Sequence, residues 1–135
     1  MLTTEQLLAA PEDDYMNADQ LAFFKALLED ELQKLYEQLK EAREQLQTVQ
    51  YEADELDKAT VEEDRRFQLR MIDRLAKLEP KIKASIKRID SGDFGYCEVT
   101  GEPIGLRRLL ARPTATLCAE EKQRQELLEK NFRED

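Results

Sequence analysis

Apolar residues along the first half of the chain follow a helical rule. From Leu21 they recur at Leu28, Leu32, Leu35, Leu39, Ala42, Leu46 and Val49, stepping by fours and threes after a first step of seven. An a/d seam sustained in this way is the signature of a coiled coil. Asn17 has the right chemistry to cap its start, with Gln20 three residues on. Neither Gly nor Pro interrupts the run, so a helix of roughly 50 Å is expected at ~1.5 Å per residue. A second stripe, Phe67, Met71, Leu75, Leu78, Ile82, Ile86 and Ile89 with Ile72 beside it, predicts a return arm over about Val61 to Asp90. Either arm alone exposes its stripe; an antiparallel pair buries both.

The stretch Ala53 to Glu63 breaks both periodicities and predicts the turn of the hairpin. Asp54 and Asp57 crowd its tip, and Thr60-Val61-Glu62-Glu63 has capping-box spacing. The two aspartates read either as an acidic functional tip or as ordinary solvated turn and cap residues. Pro80 removes one hydrogen bond from the return arm and collides with the Ala76 carbonyl, so a kink is expected near Leu78–Lys81.

Outside the hairpin the pattern weakens. Leu2, Leu7 and Leu8 predict a short helical turn that docks on something larger, ahead of an acidic Pro11-Glu12-Asp13-Asp14 break. All four glycines fall between Gly92 and Gly105, where Phe94, Tyr96, Ile104 and Leu106 suggest a small core with a short hairpin. Ala119 to Phe132 reads as a terminal helix with apolar positions Leu127, Leu128 and Phe132. The organisation expected is a segment over 1–16, a coiled-coil hairpin over 17–91 with its tip at 53–60, a module over 92–118 and a helix over 119–135. The fold class is mainly α.

Composition narrows the function. The chain has 135 residues, 38% charged and 7% aromatic, with neither Trp nor His, which suits long solvated helices in about one domain. A net charge of −9 argues against a direct grip on nucleic-acid phosphates. Residues 1–64 hold 18 acidic and 5 basic groups, residues 65–135 hold 12 and 16. The basic residues of the return arm face a Glu-rich first arm, and the acidic first half suits a basic protein partner or mimicry of a polyanion. With neither a signal-peptide core nor a run of ~20 apolar residues, a cytoplasmic protein is expected. A stand-alone enzyme is disfavoured by the lack of His, of a Gly-rich phosphate loop and of a nucleophile with a base.

Cys97 and Cys118, the chain's two cysteines, fit a reducing compartment, with a lone disulfide as the weaker alternative. Cys97-Glu98-Val99-Thr100 and Cys118-Ala119-Glu120-Glu121 look like the halves of a ribbon-type zinc site, each without its second cysteine. Thr100 is no structural zinc ligand, and Glu121 brings the donors to three at most, so tight zinc is not expected. Packing of Phe94, Tyr96, Leu106, Leu109, Leu110 and Leu117 against the terminal helix and Leu2, Leu7 or Leu8 would take its place.

Longer motifs point to a family. Tyr15-Met16-Asn17 precedes the first arm, Asp54-x-x-Asp57-x-Ala59 marks the tip, and Asp93-Phe94-Gly95-Tyr96-Cys97 opens the module. Ile104-Gly105-Leu106-Arg107-Arg108-Leu109 and Arg112-Pro113-Thr114-Ala115 follow. Over essentially its whole length the chain resembles the DksA/TraR family of bacterial RNA polymerase-binding transcription factors. The resemblance implies a coiled-coil hairpin inserted into the polymerase secondary channel, with a small zinc-ribbon-like module and a C-terminal helix. It implies altered open-complex lifetime, often with the stringent-response alarmone guanosine tetraphosphate (ppGpp). The family's tip residues fall on Asp54, Asp57 and Ala59, and its ppGpp-facing positions on Leu78, Lys81, Arg112 and Lys122, where ordinary solvated charge is the competing reading for the lysines. Thr100 and Glu121 place the chain with the cysteine-poor, zinc-independent members. The partners so implied are RNA polymerase and ppGpp, for a monomer that binds neither DNA nor membrane. A Gre-type transcript cleavage factor, whose tip carboxylates would help hold Mg²⁺, and a structural coiled-coil adaptor remain as alternatives.

Overall fold

The computed structural model describes residues 2–51 and 58–134. Helices α1 (Thr4–Leu8), α2 (Ala18–Tyr51), α3 (Lys58–Ser91), α4 (Leu106–Ala111) and α5 (Ala119–Glu134) follow in order, with a 3-10 turn at Glu12–Asp14. The short hairpin expected in the module is reduced to one antiparallel bridge between Tyr96 and Pro103, and the described residues contain no strand. None of the described helices is long and apolar enough to cross a membrane. The chain forms two compact units, Glu29–Ala84 and the pairing of Met1–Leu28 with Ser85–Asp135.

In the first of these units the two long helices pack as a coiled-coil hairpin. Leu35, Leu39 and Ala42 from α2 are buried, as are Val61, Leu75 and Ile82 from α3. The α2 seam follows its heptads, but the α3 stripe is narrower than its sequence suggests. Phe67 is 53% exposed and Leu78 38%. At 100° per residue they stand roughly 80° and 60° round the helix from Leu75, on the edge of the buried face. Thr60 lies inside α3 rather than at its cap, because Lys58 and Ala59, both good helix formers, are already helical. Pro80 lies inside α3, which is continuous from Lys58 to Ser91. Across the pair, the Tyr36 hydroxyl donates to Glu79 Oε1 at 3.2 Å, and Glu79 holds Lys83 at 2.7 Å. The Lys83 hydrogen bond, with that of Tyr36, keeps the Glu79 carboxyl below its ordinary range.

The other unit has its own core of Leu7, Phe24, Leu28, Ile89, Phe94, Ile104 and Leu109. Each such side chain contributes roughly 1.5–3 kcal/mol when fully buried. Phe24 has no place in the heptad seam; its ring meets Phe94 at 5.4 Å and Phe23 edge-on at the same distance. Helix α1 is capped by a reciprocal pair, Gln6 N to Thr3 Oγ1 at 3.2 Å and Thr3 N to Gln6 Oε1 at 3.0 Å. It contacts α4, and Leu7 and Leu109 both reach zero exposure, while Leu8 stays outside. At the head of α2, Asn17 Oδ1 accepts the Gln20 amide at 2.8 Å and Gln20 Oε1 accepts the Met16 amide at 2.6 Å. Helix α4, unforeseen in the sequence, is stopped by Pro113 after the Arg112 amide bonds the Arg108 carbonyl at 2.8 Å. The apolar positions of α5 do not dock: Leu127, Leu128 and Phe132 are 62%, 49% and 79% exposed.

Candidate functional site

Three groups of residues carry the functional expectations, and they differ in how far the structure constrains them. At the tip, Asp54 and Asp57 lie outside the described residues. Ala59 is exposed in the first turn of α3.

Leu78 and Lys81 are exposed on the hairpin unit, one helical turn apart. Leu78 is therefore a surface side chain, available to a ligand rather than committed to the seam. Arg112 and Lys122 belong to the other unit. Arg112 is exposed at the end of α4, with its backbone extended at φ −146°. Lys122 sits in the first turn of α5, and its nearest anionic partner is Glu126 at 3.9 Å. That separation leaves the ammonium only weakly engaged.

The third group surrounds the cysteines. A tight loop brings Cys97 back on itself, its amide donating to the Glu102 carbonyl at 2.8 Å and its carbonyl accepting the Gly101 amide at 2.9 Å. A second strap joins Glu98 N to Thr116 O at 2.9 Å. Cys97 and Cys118 are both buried and both free. Burial raises the Cys97 pKa. Hydrogen bonds from the Thr100 hydroxyl and the amides of Cys118, Thr100 and Val99 outweigh it and bring the thiol down to about 6. Thr100 Oγ1 also lies 3.9 Å from Cys118 Sγ. Glu121 is buried in the first turn of α5, where a carboxylate suits the helix dipole, with Arg124 3.9 Å away.

The walls of this module are tied down by cations and one phenol. Arg88 donates to the carbonyls of Asp93 at 3.1 Å and Tyr96 at 2.9 Å and faces Glu98 at 3.6 Å. Arg108 Nε donates to the Leu117 carbonyl at 3.0 Å. The Tyr15 hydroxyl donates to Gly95 O at 2.7 Å and accepts from Gly105 N at 2.9 Å, and burial raises its pKa. Sequence reasoning passed over Arg88 and Arg108, because each acts on carbonyls that only the folded loop brings to it.

A four-donor zinc ion does not fit this set. Thr100 contributes a neutral hydroxyl that already accepts the Glu102 amide at 3.3 Å. Among the described residues no three His, Cys, Asp or Glu side chains come together as a metal-binding group.

Comparison with known proteins agrees with the motifs. Residues 20–89 match the family model "DnaK suppressor protein DksA, N-terminal domain". Residues 92–127 match "Prokaryotic dksA/traR C4-type zinc finger", although two of the four cysteines in that description are not in this chain. The RNA polymerase-binding transcription factor DksA of Caulobacter vibrioides is 44% identical over 128 residues, covering 92% of this chain and 88% of that protein. The protein of the same name from Escherichia coli K12 is 40% identical over 123 residues, covering 90% and 82%. Among solved structures, transcription factor DksA2 from Pseudomonas aeruginosa superposes with a TM-score of 0.87 at 45% identity, covering 94% of this chain and 98% of that one.

Proposed function

The chain belongs to the DksA/TraR family, and from that membership we propose that it regulates transcription by binding RNA polymerase directly. The hairpin of α2 and α3 enters the secondary channel with Asp54, Asp57 and Ala59 at its leading end. There it alters the lifetime of open promoter complexes together with ppGpp. The protein acts in the cytoplasm as a monomer, catalyses no reaction and does not hold DNA. The observation that carries this reading is likeness to proteins named for polymerase binding, 44% and 40% identical over 92% and 90% of this chain.

Two local features support the finer parts. Exposure of Leu78 and Lys81 on one turn of α3, and the loose engagement of Lys122, leave these side chains available to an anionic nucleotide. The donor set around Cys97 favours a module that folds without zinc, its stability coming from Leu7, Phe94, Ile104 and Leu109 instead.

The test is capture of core RNA polymerase by the purified chain, followed by open-complex lifetimes with and without ppGpp. Capture with a ppGpp-enhanced change in lifetime is expected. Failure to bind polymerase overturns the reading, and stimulated cleavage of a backtracked transcript replaces it with the Gre-type one. Metal analysis should find far less than one zinc per chain, with a melting temperature that a strong chelator leaves unchanged.

A further inference from the structure

The whole-chain charge of −9 conceals a basic run on the return arm, where residues 65–88 hold nine basic and two acidic side chains. At 100° per residue, Arg66, Arg70, Arg74 and Lys77 fall within a strip of roughly 80° on one face of α3. The strip covers about 16 Å of helix at ~1.5 Å per residue. All four side chains are exposed. Among the described residues Arg66, Arg70 and Arg74 have no ion-pair partner. Lys77 meets Asp73 at 2.9 Å on the surface, a pair that contributes little. Phe67 stands beside the strip, roughly 60° round the helix from Arg70, and is 53% exposed. Two open cavities, of about 300 and 350 Å³, meet at Phe67, Met71 and Arg74. Gln38, Glu41 and Gln45 of α2 and Gln68 of α3 also line the first of them. Side-chain amides both donate and accept hydrogen bonds, as the edges of nucleobases require.

Cations in a line beside an exposed ring are what a single-stranded nucleic acid uses: charge for successive phosphates and a flat apolar face for a base. An acidic peptide matches the cations alone, whereas a base also engages the ring and the glutamines. A duplex keeps its bases stacked away from Phe67. We propose that the face of α3 around Phe67, Arg70 and Arg74 binds single-stranded RNA. Arg66, Arg70, Arg74 and Lys77 hold phosphates, Phe67 stacks on one base, and Gln38, Gln45 and Gln68 reach its edge. The Glu41 carboxylate repels phosphate, which keeps the strand's backbone on the arginine strip. The acidic first half repels the same strand, so binding is confined to this strip and weakens steeply with salt. The grip itself needs no polymerase. The choice of RNA over DNA rests on the polymerase reading, since RNA is the strand a polymerase releases unpaired.

The experiment is fluorescence anisotropy of a labelled oligouridylate with the full-length chain, run from about 50 to 200 mM salt. Binding is expected at low salt, its log K falling against log salt with a slope of about −3, near 0.7 for each of four phosphates. Arg70→Gln with Arg74→Gln should shrink that slope by about 1.4. Phe67→Ala should weaken binding at least ~5-fold at unchanged slope, and Phe67→Tyr, which keeps a ring, should retain it. These side chains are exposed, so the variants should keep the wild-type circular dichroism. No binding at about 50 mM salt overturns the proposal. Equal binding of duplex RNA, or full affinity in Phe67→Ala, does the same. Displacement by polyglutamate as readily as by unlabelled RNA assigns the face to an acidic protein instead. In a transcription complex carrying photoreactive bases, crosslinks from this face to the transcript support RNA, and crosslinks to DNA alone refute it. Failure of the chain to join polymerase sinks the polymerase reading, while oligouridylate binding still upholds the strip.

Discussion

A Cβ placed on Gly95 would lie 2.8 Å from Met16 Cγ and 2.9 Å from its sulfur. The chain has brought a residue ahead of α2 onto the loop that opens the cysteine module. Gly95 has φ +91° and Met16 has φ +58°, so both sides of this contact use left-handed backbone. Gly95→Ala therefore adds a steric clash to a conformational penalty. Gly101, at φ +75° with nothing within 4 Å of a new Cβ, carries the conformational penalty alone. The expected loss is about 1–2 kcal/mol for Gly101→Ala and roughly 1 kcal/mol more for Gly95→Ala, measured by urea unfolding.

Tyr15→Phe leaves the Gly95 carbonyl and the Gly105 amide without their partner. A loss of about 1–3 kcal/mol is expected. Because burial raises the Tyr15 pKa, the fold favours the neutral phenol. Its contribution is complete below the unfolded pKa near 10 and falls as pH rises through the higher folded value. Wild type and Tyr15→Phe should thus converge in stability above about pH 10, as denaturation at a series of pH values will show.

Leu75 and Leu78 share a predicted stripe but not a surroundings, at 4% and 38% exposure. Leu75→Ala should cost about 2–5 kcal/mol and Leu78→Ala under ~1 kcal/mol. If Leu78 faces ppGpp, the second variant should lose nucleotide response while keeping its melting temperature.

Asp57→Asn is expected to abolish the effect on open complexes while helicity and polymerase capture stay intact. A loss of stability above ~2 kcal/mol would assign Asp57 to capping instead. Circular dichroism and open-complex decay, run on the same preparation, separate the two.

Arg112→Ala with Lys122→Ala should flatten the ppGpp dose response and leave basal polymerase binding near its wild-type value. The Lys122–Glu126 pair, at 3.9 Å on the surface, is worth little. Its loss should therefore change stability by less than ~0.5 kcal/mol. An unchanged dose response would exclude these residues.

The coiled coil was legible because a heptad is local: Leu28, Leu35, Leu39 and Ala42 are buried as their spacing requires. Phe24 was not, since its neighbour Phe94 lies seventy residues on and leaves no periodic trace. Phe67 shows the opposite error, an apolar residue in step with the stripe yet turned off the buried face. Helix α4 hid between Gly105 and Pro113, where turn residues outweigh six helical ones. At the site, the residue types at Cys97, Thr100, Cys118 and Glu121 were readable as chemistry. The approach of Thr100 Oγ1 to the Cys118 sulfur, 3.9 Å across eighteen residues, was not, because it depends on backbone bonds such as Glu98 N to Thr116 O.

The partners of the Tyr15 hydroxyl stand 80 and 90 residues downstream. On a ribosome adding about 5–20 residues per second, the first of these partners follows Tyr15 by several seconds. Helices α2 and α3 are finished in that interval and need only local contacts to pair, which is fast. Helix α1 likewise cannot pack on α4 until Leu106–Ala111 has been made. The bonds that close this long loop can therefore form only after both arms of the hairpin have been made.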